Sequence, residues 1–333
     1  MMKKTFFLIP FITLLAACEV DFTPNAEWKN VPSIYCMLDQ DDDTTWVRVQ
    51  RCFLPEDNIY DYGQISDSSN YPQGSITVSL LAYENGSLKD SMAFSYAERD
   101  RDSGLFAHQA QPLYWCETRR RLKDNYSYVL SVRDAASGML LASSDPVSLI
   151  RQAEETSLIT KPTVNAFGGG FGFYDVATGG TANNCHIKWN RLENARRYQP
   201  IVRFYYSVDG DTLHVDLHGP SVTSRSSEVY YPRDLFLDEL SNKLKDDPRS
   251  KRYIAHVDMY LTCCTEELSA YMSTVEPSAV AGQSNEVFCN INGGVGVVAA
   301  RRTHLYKSMP SDSSIVDGKG LLYFLTNLGV GLY

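Results

Sequence analysis

The chain has 333 residues, of which 44% are hydrophobic and 21% charged, a composition too apolar and too sparsely charged for a disordered protein. Its formal charge is −9, from 31 Lys+Arg against 40 Asp+Glu, so it lacks the basic excess with which a duplex binder displaces counterions. The length admits two ordinary domains, and nucleic acid is not an expected partner.

The first element is an export signal. Lys3 and Lys4 precede an apolar run from Thr5 to Leu15, far short of the ~20 residues that span a bilayer as a helix. Small residues follow, and Leu15-Ala16-Ala17-Cys18 resembles a bacterial lipobox, in which the Cys18 thiol takes a diacylglyceryl group and the chain is cut before it. Residues 1–17 then leave as signal peptide, and residues 18–30 become a lipidated tether. Losing two lysines and no acid takes the formal charge from −9 to −11. Several acyl chains hold a protein stably where one is marginal. The expected location is therefore the membrane surface, through a lipid anchor.

Strand signals fill the next hundred residues. Ile34 to Leu38 is apolar, and Trp46-Val47-Arg48-Val49-Gln50-Arg51-Cys52-Phe53 alternates across eight positions, with the acidic turn Asp39 to Asp43 between them. Gly74 to Tyr83 runs through Asn85-Gly86, the strongest short hairpin signal, into Leu88 to Phe94. Tyr126 to Val132 alternates again and turns at Ser137-Gly138 into Met139 to Ala142. Short strands separated by turn residues predict an antiparallel sandwich.

From 151 to 182 the composition changes, with Gly168-Gly169-Gly170, Gly172 and Gly179-Gly180 interleaved with Phe167, Phe171, Phe173 and Tyr174. A domain boundary is expected near residue 155. His186 to Trp189, the turn at Asn194, and the strand opening on Tyr198 resemble the B–C region of fibronectin type III modules. Pro232 to Lys245 is the clearest helix: Leu235, Phe236, Leu240 and Leu244 recur near helical spacing, with acids early and Lys243 and Lys245 late. Glu266 to Ser273 follows as a shorter helix. The expected fold is mainly β, with two immunoglobulin- or fibronectin III-like sandwiches at 31–155 and 156–310. The second carries the helix near 232–245, and a tail occupies 311–333.

With Cys18 assigned to lipid, seven of the eight cysteines remain, an odd number with no zinc-site or small-scaffold spacing. Cys36, Cys52 and Cys289 fall in strand-like runs, where a free thiol behaves as a small hydrophobe. Cys263-Cys264 is adjacent in a strand, so its side chains point to opposite faces.

The lipobox, the strand Trp46 to Leu54, Asp102-Ser103-Gly104-Leu105-Phe106 and the stretch from Asn285 to Gly296 together resemble an uncharacterised family of Bacteroidota lipoproteins, described as a domain of unknown function. Many members of that family sit beside TonB-dependent outer-membrane receptors. This chain departs from the commoner ending in having Val297-Val298-Ala299-Ala300 where an aromatic often follows the glycines. The resemblance implies an outer-membrane location, on the periplasmic or the outer side, and a TonB-dependent receptor as partner. It implies no catalytic residue.

Several patterns invite site chemistry. Asp39, Asp41, Asp42 and Asp43 could offer oxygens to Ca²⁺ but lack the EF-hand spacing, glycine and distal glutamate, so a solvated hairpin loop is expected. In a strand, His214, Asp216 and His218 share one face, but the two imidazoles would lie ~13 Å apart, too far for one ion. The runs at 168–172 and 293–296 lack the strand-then-helix context of a phosphate loop. Arg119-Arg120-Arg121 reads as a solvated loop. No Gly-x-Ser-x-Gly, His-Glu-x-x-His or Cys-x-x-Cys pattern occurs, and no cofactor or metal is expected.

Aromatics make up 12% of the chain. Most fill strands, but two long polar or glycine-rich segments carry rings where a core is hard to reach: Tyr60, Tyr62 and Tyr71 in 55–73, and Phe167, Phe171 and Phe173 in 165–184. These six are the expected contact residues, with burial of the loops against neighbouring domains as the alternative. The expected function is a non-catalytic lipoprotein that binds a ligand or partner, accessory to a TonB-dependent transporter. A structural or adhesive, fimbria-like lipoprotein is the alternative, and a hydrolase with an unrecognised site is a third reading.

Overall fold

The computed structural model describes residues 30–52, 69–100, 111–151, 171–175, 180–223, 228–245, 251–275, 287–310 and 331–332. Cys18, Tyr60, Tyr62 and Phe167 lie outside the described residues, as does the expected boundary near residue 155.

The first part of the chain forms β1 (Pro32–Asp39), β2 (Thr44–Arg51), β3 (Ile76–Glu84), β4 (Ser87–Ala93), β5 (Ser95–Arg99), β6 (Gln111–Glu117), β7 (Ser127–Asp134), β8 (Leu140–Ser144) and β9 (Val147–Ser148). The second forms β10 (Tyr174–Asp175), β11 (Gly180–Thr181), β12 (Asn184–Lys188), β13 (Arg197–Val208), β14 (Asp211–His218), β15 (Val222–Thr223) and β16 (Glu228–Pro232). Helix α1 (Arg233–Leu244), β17 (Tyr253–Cys264), helix α2 (Glu266–Val275), β18 (Ile291–Asn292) and β19 (Val295–Pro310) complete it. The protein is mainly β, with four sheets among the described residues and none closed.

The largest sheet runs β14-β13-β17-β19-β1-β2-β6-β5, with β15 beside β13. It therefore joins strands from both ends of the chain. The junction is parallel: β1 pairs with β19 from Ser33↔Val295 to Asp39↔Arg301, while every other pairing in the sheet is antiparallel. Gly296 makes that junction possible. At φ +120° it has a backbone few other residues adopt, and a Cβ there would lie 1.9 Å from the Ile34 carbonyl oxygen.

One face of the sheet backs two cores side by side. Ile34, Cys36, Leu38, Val47, Val49, Tyr114 and Cys116 pack against Val78, Leu80, Tyr128, Leu130 and Val132 of the second sheet, β18-β8-β7-β3-β4. Ile291, Val298 and Ala300 join this first core, although sequence order places them with the second half. The other core lies under β13 and β17, where Tyr198, Val202, Phe204, Val257 and Leu261 meet Phe171, Phe173, Tyr231 and the α1 residues Phe236, Leu240 and Leu244. Successive residues Leu149 and Ile150 enter different cores. Arg302, 6% exposed, binds Asp41 at 3.2 Å, and Arg301, half exposed on the opposite face, binds Asp39 at 3.1 Å. The acidic turn is thus tied to β19 by two arginines.

Helix α2 lies on the opposite face. It buries Val297 and Ala299, which alternate with the core-facing Val298 and Ala300, and its Tyr271 meets Tyr35 edge-on at 6.1 Å. Arg197 Nη2 donates to Ser273 Oγ at 2.9 Å from the same side. At the other end of the chain, Leu332 is 2% exposed in the second core, and Arg252 N donates to the Gly331 carbonyl at 2.8 Å.

All seven described cysteines are free thiols. Burial pushes Cys36 and Cys185 up to about 12 and Cys263 likewise, so these behave as core hydrophobes. Cys289 departs from expectation: it is exposed and precedes β18 instead of lying in a strand.

Candidate functional site

Three of the expected contact rings are buried. Tyr71 is 6% exposed in the first core, its hydroxyl donating to Asn30 Oδ1 at 2.7 Å, and burial pushes that hydroxyl up to about 12. Phe171 and Phe173 are 0% exposed, meet each other edge-on at 5.3 Å, and lie 5.1 and 5.7 Å from Phe236. A ring offers 150–250 Å² of surface, about the largest apolar gain a side chain can make. Tyr71, Phe171 and Phe173 are therefore core residues, not surface contacts.

The exposed chemistry lies instead on the face of the large sheet turned away from both cores. Alternation places it there: β13 buries every second residue, and its other residues, Arg197 to Ser207, stand outward. Helix α2 covers the middle of this face and leaves a patch on either side.

The first patch crosses β1, β2, β6 and β5. Trp46 and Trp115, opposite each other across β2 and β6, have ring centroids 6.3 Å apart. Trp115 is 38% exposed, a high value for an indole on a sheet. The Arg48 guanidinium sits 4.7 Å over the Tyr35 ring, its register partner on β1, and the Arg99 guanidinium sits 4.8 Å over Trp46. Among the described residues neither arginine has a carboxylate partner, and Arg48 Nε is buried with no hydrogen bond. Arg119 and Arg121, at the neighbouring turn, do pair, with Asp43 and Asp90.

The second patch crosses β14, β13 and β17. Arg203 Nε and Nη2 donate to Asp216 Oδ1 and Oδ2 at 2.6 and 2.8 Å, and its guanidinium lies 4.8 Å over Tyr260. The pair holds the Asp216 carboxyl below the usual carboxylate range, and Asp216 in turn raises Arg203. Tyr205 stacks on His256 at 3.9 Å and lies 5.5 Å from His214. Burial, together with a hydrogen bond to Tyr205, raises the Tyr260 hydroxyl. Asp258 is 6% exposed, with Oδ1 unbonded and His256 Nε2 3.9 Å away.

The His214, Asp216, His218 pattern does fall on one outward face, but its members are separately engaged. Both Asp216 oxygens are on Arg203, and the His218 backbone N–H donates to Glu239 Oε2 at 3.0 Å. Among the described residues no three His, Cys, Asp or Glu side chains are placed to hold a metal ion together.

Sequence reasoning passed over both patches. The alternation of Trp46-Val47-Arg48 and the Arg203-x-Tyr205 spacing place these residues on one strand face, but which face stays exposed is set by distant strands and by helix α2. The chain matches no protein-family model and no curated protein.

Proposed function

We propose that the protein is a non-catalytic, lipid-anchored protein of the outer membrane that binds a partner, accessory to a TonB-dependent transporter. The observation that carries the reading is the register of Lys3 and Lys4, the apolar run Thr5 to Leu15 and Leu15-Ala16-Ala17-Cys18. The outer membrane and the transporter rest on the family resemblance alone. The two cores fit two sandwich-like units of the immunoglobulin or fibronectin III kind that share one sheet. Recognition through a sheet face is supported by the two patches, where rings and charged groups stand on strands that the cores hold rigid.

The experiment is metabolic labelling with palmitate and fractionation. Cys18→Ala abolishes labelling, whereas unchanged incorporation would falsify the anchor. Crosslinking in intact cells followed by purification then identifies the partner; recovery of an outer-membrane receptor is the expected result.

A further inference from the structure

We infer that the first patch, Tyr35, Trp46, Arg48, Arg99 and Trp115, is a seat for the phosphate-bearing headgroups of an anionic lipid surface. The inference deepens the proposed function and rests on the anchor, since it names the surface against which the tethered body lies.

Charge is the first argument. The chain carries −9 overall, yet this patch holds two guanidiniums that no described carboxylate neutralises. Guanidinium on an aromatic ring is held in place while its outward N–H groups remain free to donate. Phosphate oxygens are the acceptors that match such donors.

Shape is the second. Four adjacent strands span about 14 Å at the usual strand spacing, so the donors lie on a plane and do not converge on one ion. A layer of headgroups fits that geometry on the β2-β6-β5 side, away from the helix whose Tyr271 meets Tyr35. Stacked sugar rings fit it less well, because a guanidinium already occupies a face of Tyr35 and of Trp46. Indole and phenol edges beside cations are the side chains that settle at the boundary between headgroup and acyl chain.

Reach is the third. The fourteen residues from Cys18 to Val31 extend at most about 50 Å, and Tyr35 is only three residues into the strand that follows. The anchor therefore keeps this patch within one protein diameter of the bilayer.

The test uses the full processed chain. Its intact mass reports first whether Cys18 is acylated, which separates failure of the anchor from failure of the patch. The acylated chain carries Trp28→Phe, so that emission comes from Trp46, Trp115 and Trp189; Trp189 is 3% exposed and serves as the internal reference. It is placed in vesicles with brominated acyl chains, either containing phosphatidylglycerol or made of phosphatidylcholine alone. Quenching is expected with phosphatidylglycerol and is reversed by high salt. Each basic side chain at an anionic surface is worth about fivefold, so Arg48→Gln/Arg99→Gln lowers the seated-to-unseated ratio about thirtyfold. Arg119→Gln/Arg151→Gln removes the same charge from ion-paired arginines elsewhere and keeps the quenching. If the mass shows no acyl group, the same vesicles and variants are read by co-sedimentation.

Equal quenching in the parent and in Arg48→Gln/Arg99→Gln overturns the inference, as does equal loss in the control pair. Reversal by inorganic phosphate at constant ionic strength marks a soluble-anion site and overturns it too. Circular dichroism checks each variant. Should the Gln pair not fold, the phosphatidylglycerol and salt dependence of the parent decides.

Discussion

Three arginines lie on aromatic rings of the same sheet face, at 4.7, 4.8 and 4.8 Å, yet they are not the same kind of charge. Arg203 on Tyr260 has a bidentate carboxylate in Asp216, so its field is largely cancelled within the protein. Arg48 on Tyr35 and Arg99 on Trp46 have none among the described residues. The ring contributes about 0.5–2 kcal/mol in either setting and leaves the cation charged. What separates a structural from a receptive guanidinium here is the next residue across the strand, not the ring beneath.

The largest effect tests what lies under the second patch. Phe171→Ala should cost about 3–5 kcal/mol, because the ring is fully buried among Phe173, Tyr231 and Phe236. A urea midpoint shift reports it. Trp115 emission, read well below the midpoint, should not change; a change there would mean that the two patches share more than a sheet.

A smaller change makes the patches alike. Asp216→Asn removes the carboxylate from Arg203, costing about 1 kcal/mol after solvent screening of a pair near 30% exposed. The expected gain is salt-dependent attraction of the second patch to anionic vesicles, measured by co-sedimentation. If no attraction appears, a ring-held arginine without a carboxylate is not sufficient, and the comparison fails.

Acid gives the smallest effect. Arg203 holds Asp216 below its unfolded value of ~3.9, so the pair's contribution is complete above that pH and is lost as pH falls through the lower folded value. The difference in melting temperature between the parent and Asp216→Asn should therefore close across that window. Neither Arg48 nor Arg99 has a described carboxylate partner to titrate there, and salt-reversible lipid quenching should persist wherever the fold does.

Local order was legible because local chemistry dictates it. The helix expected at Pro232 to Lys245 is Arg233–Leu244, since its apolar spacing and flanking proline act within a few residues. Asn85-Gly86 forms the predicted hairpin with φ of +50° and +77°, a backbone these two residues tolerate. The fate of the loop rings was not legible. Nothing near Phe171 or Tyr71 in sequence announces the Phe236 or Asn30 that receives it. The parallel pairing of β1 with β19 was equally hidden, because its partners are distant and each strand reads alone as an ordinary apolar run. The outward patches sit between: Trp46 and Arg48 could be placed on one face, but their solvation depends on which acids lie across the strands.

That parallel pairing has a consequence for the order of events during synthesis. Asp39 and Arg301, bonded at the junction, are 262 residues apart, and Val298 and Ala300 complete the core that Ile34, Cys36 and Leu38 begin. A chain made from its N-terminus thus presents β1 with its neighbouring edge empty until β19 has emerged. An apolar strand with unpaired N–H and C=O groups is the usual seed of misassociation. Long loop closure makes its capture slow compared with hairpins such as β3–β4. The protein therefore spends most of its synthesis with the first core unfinished.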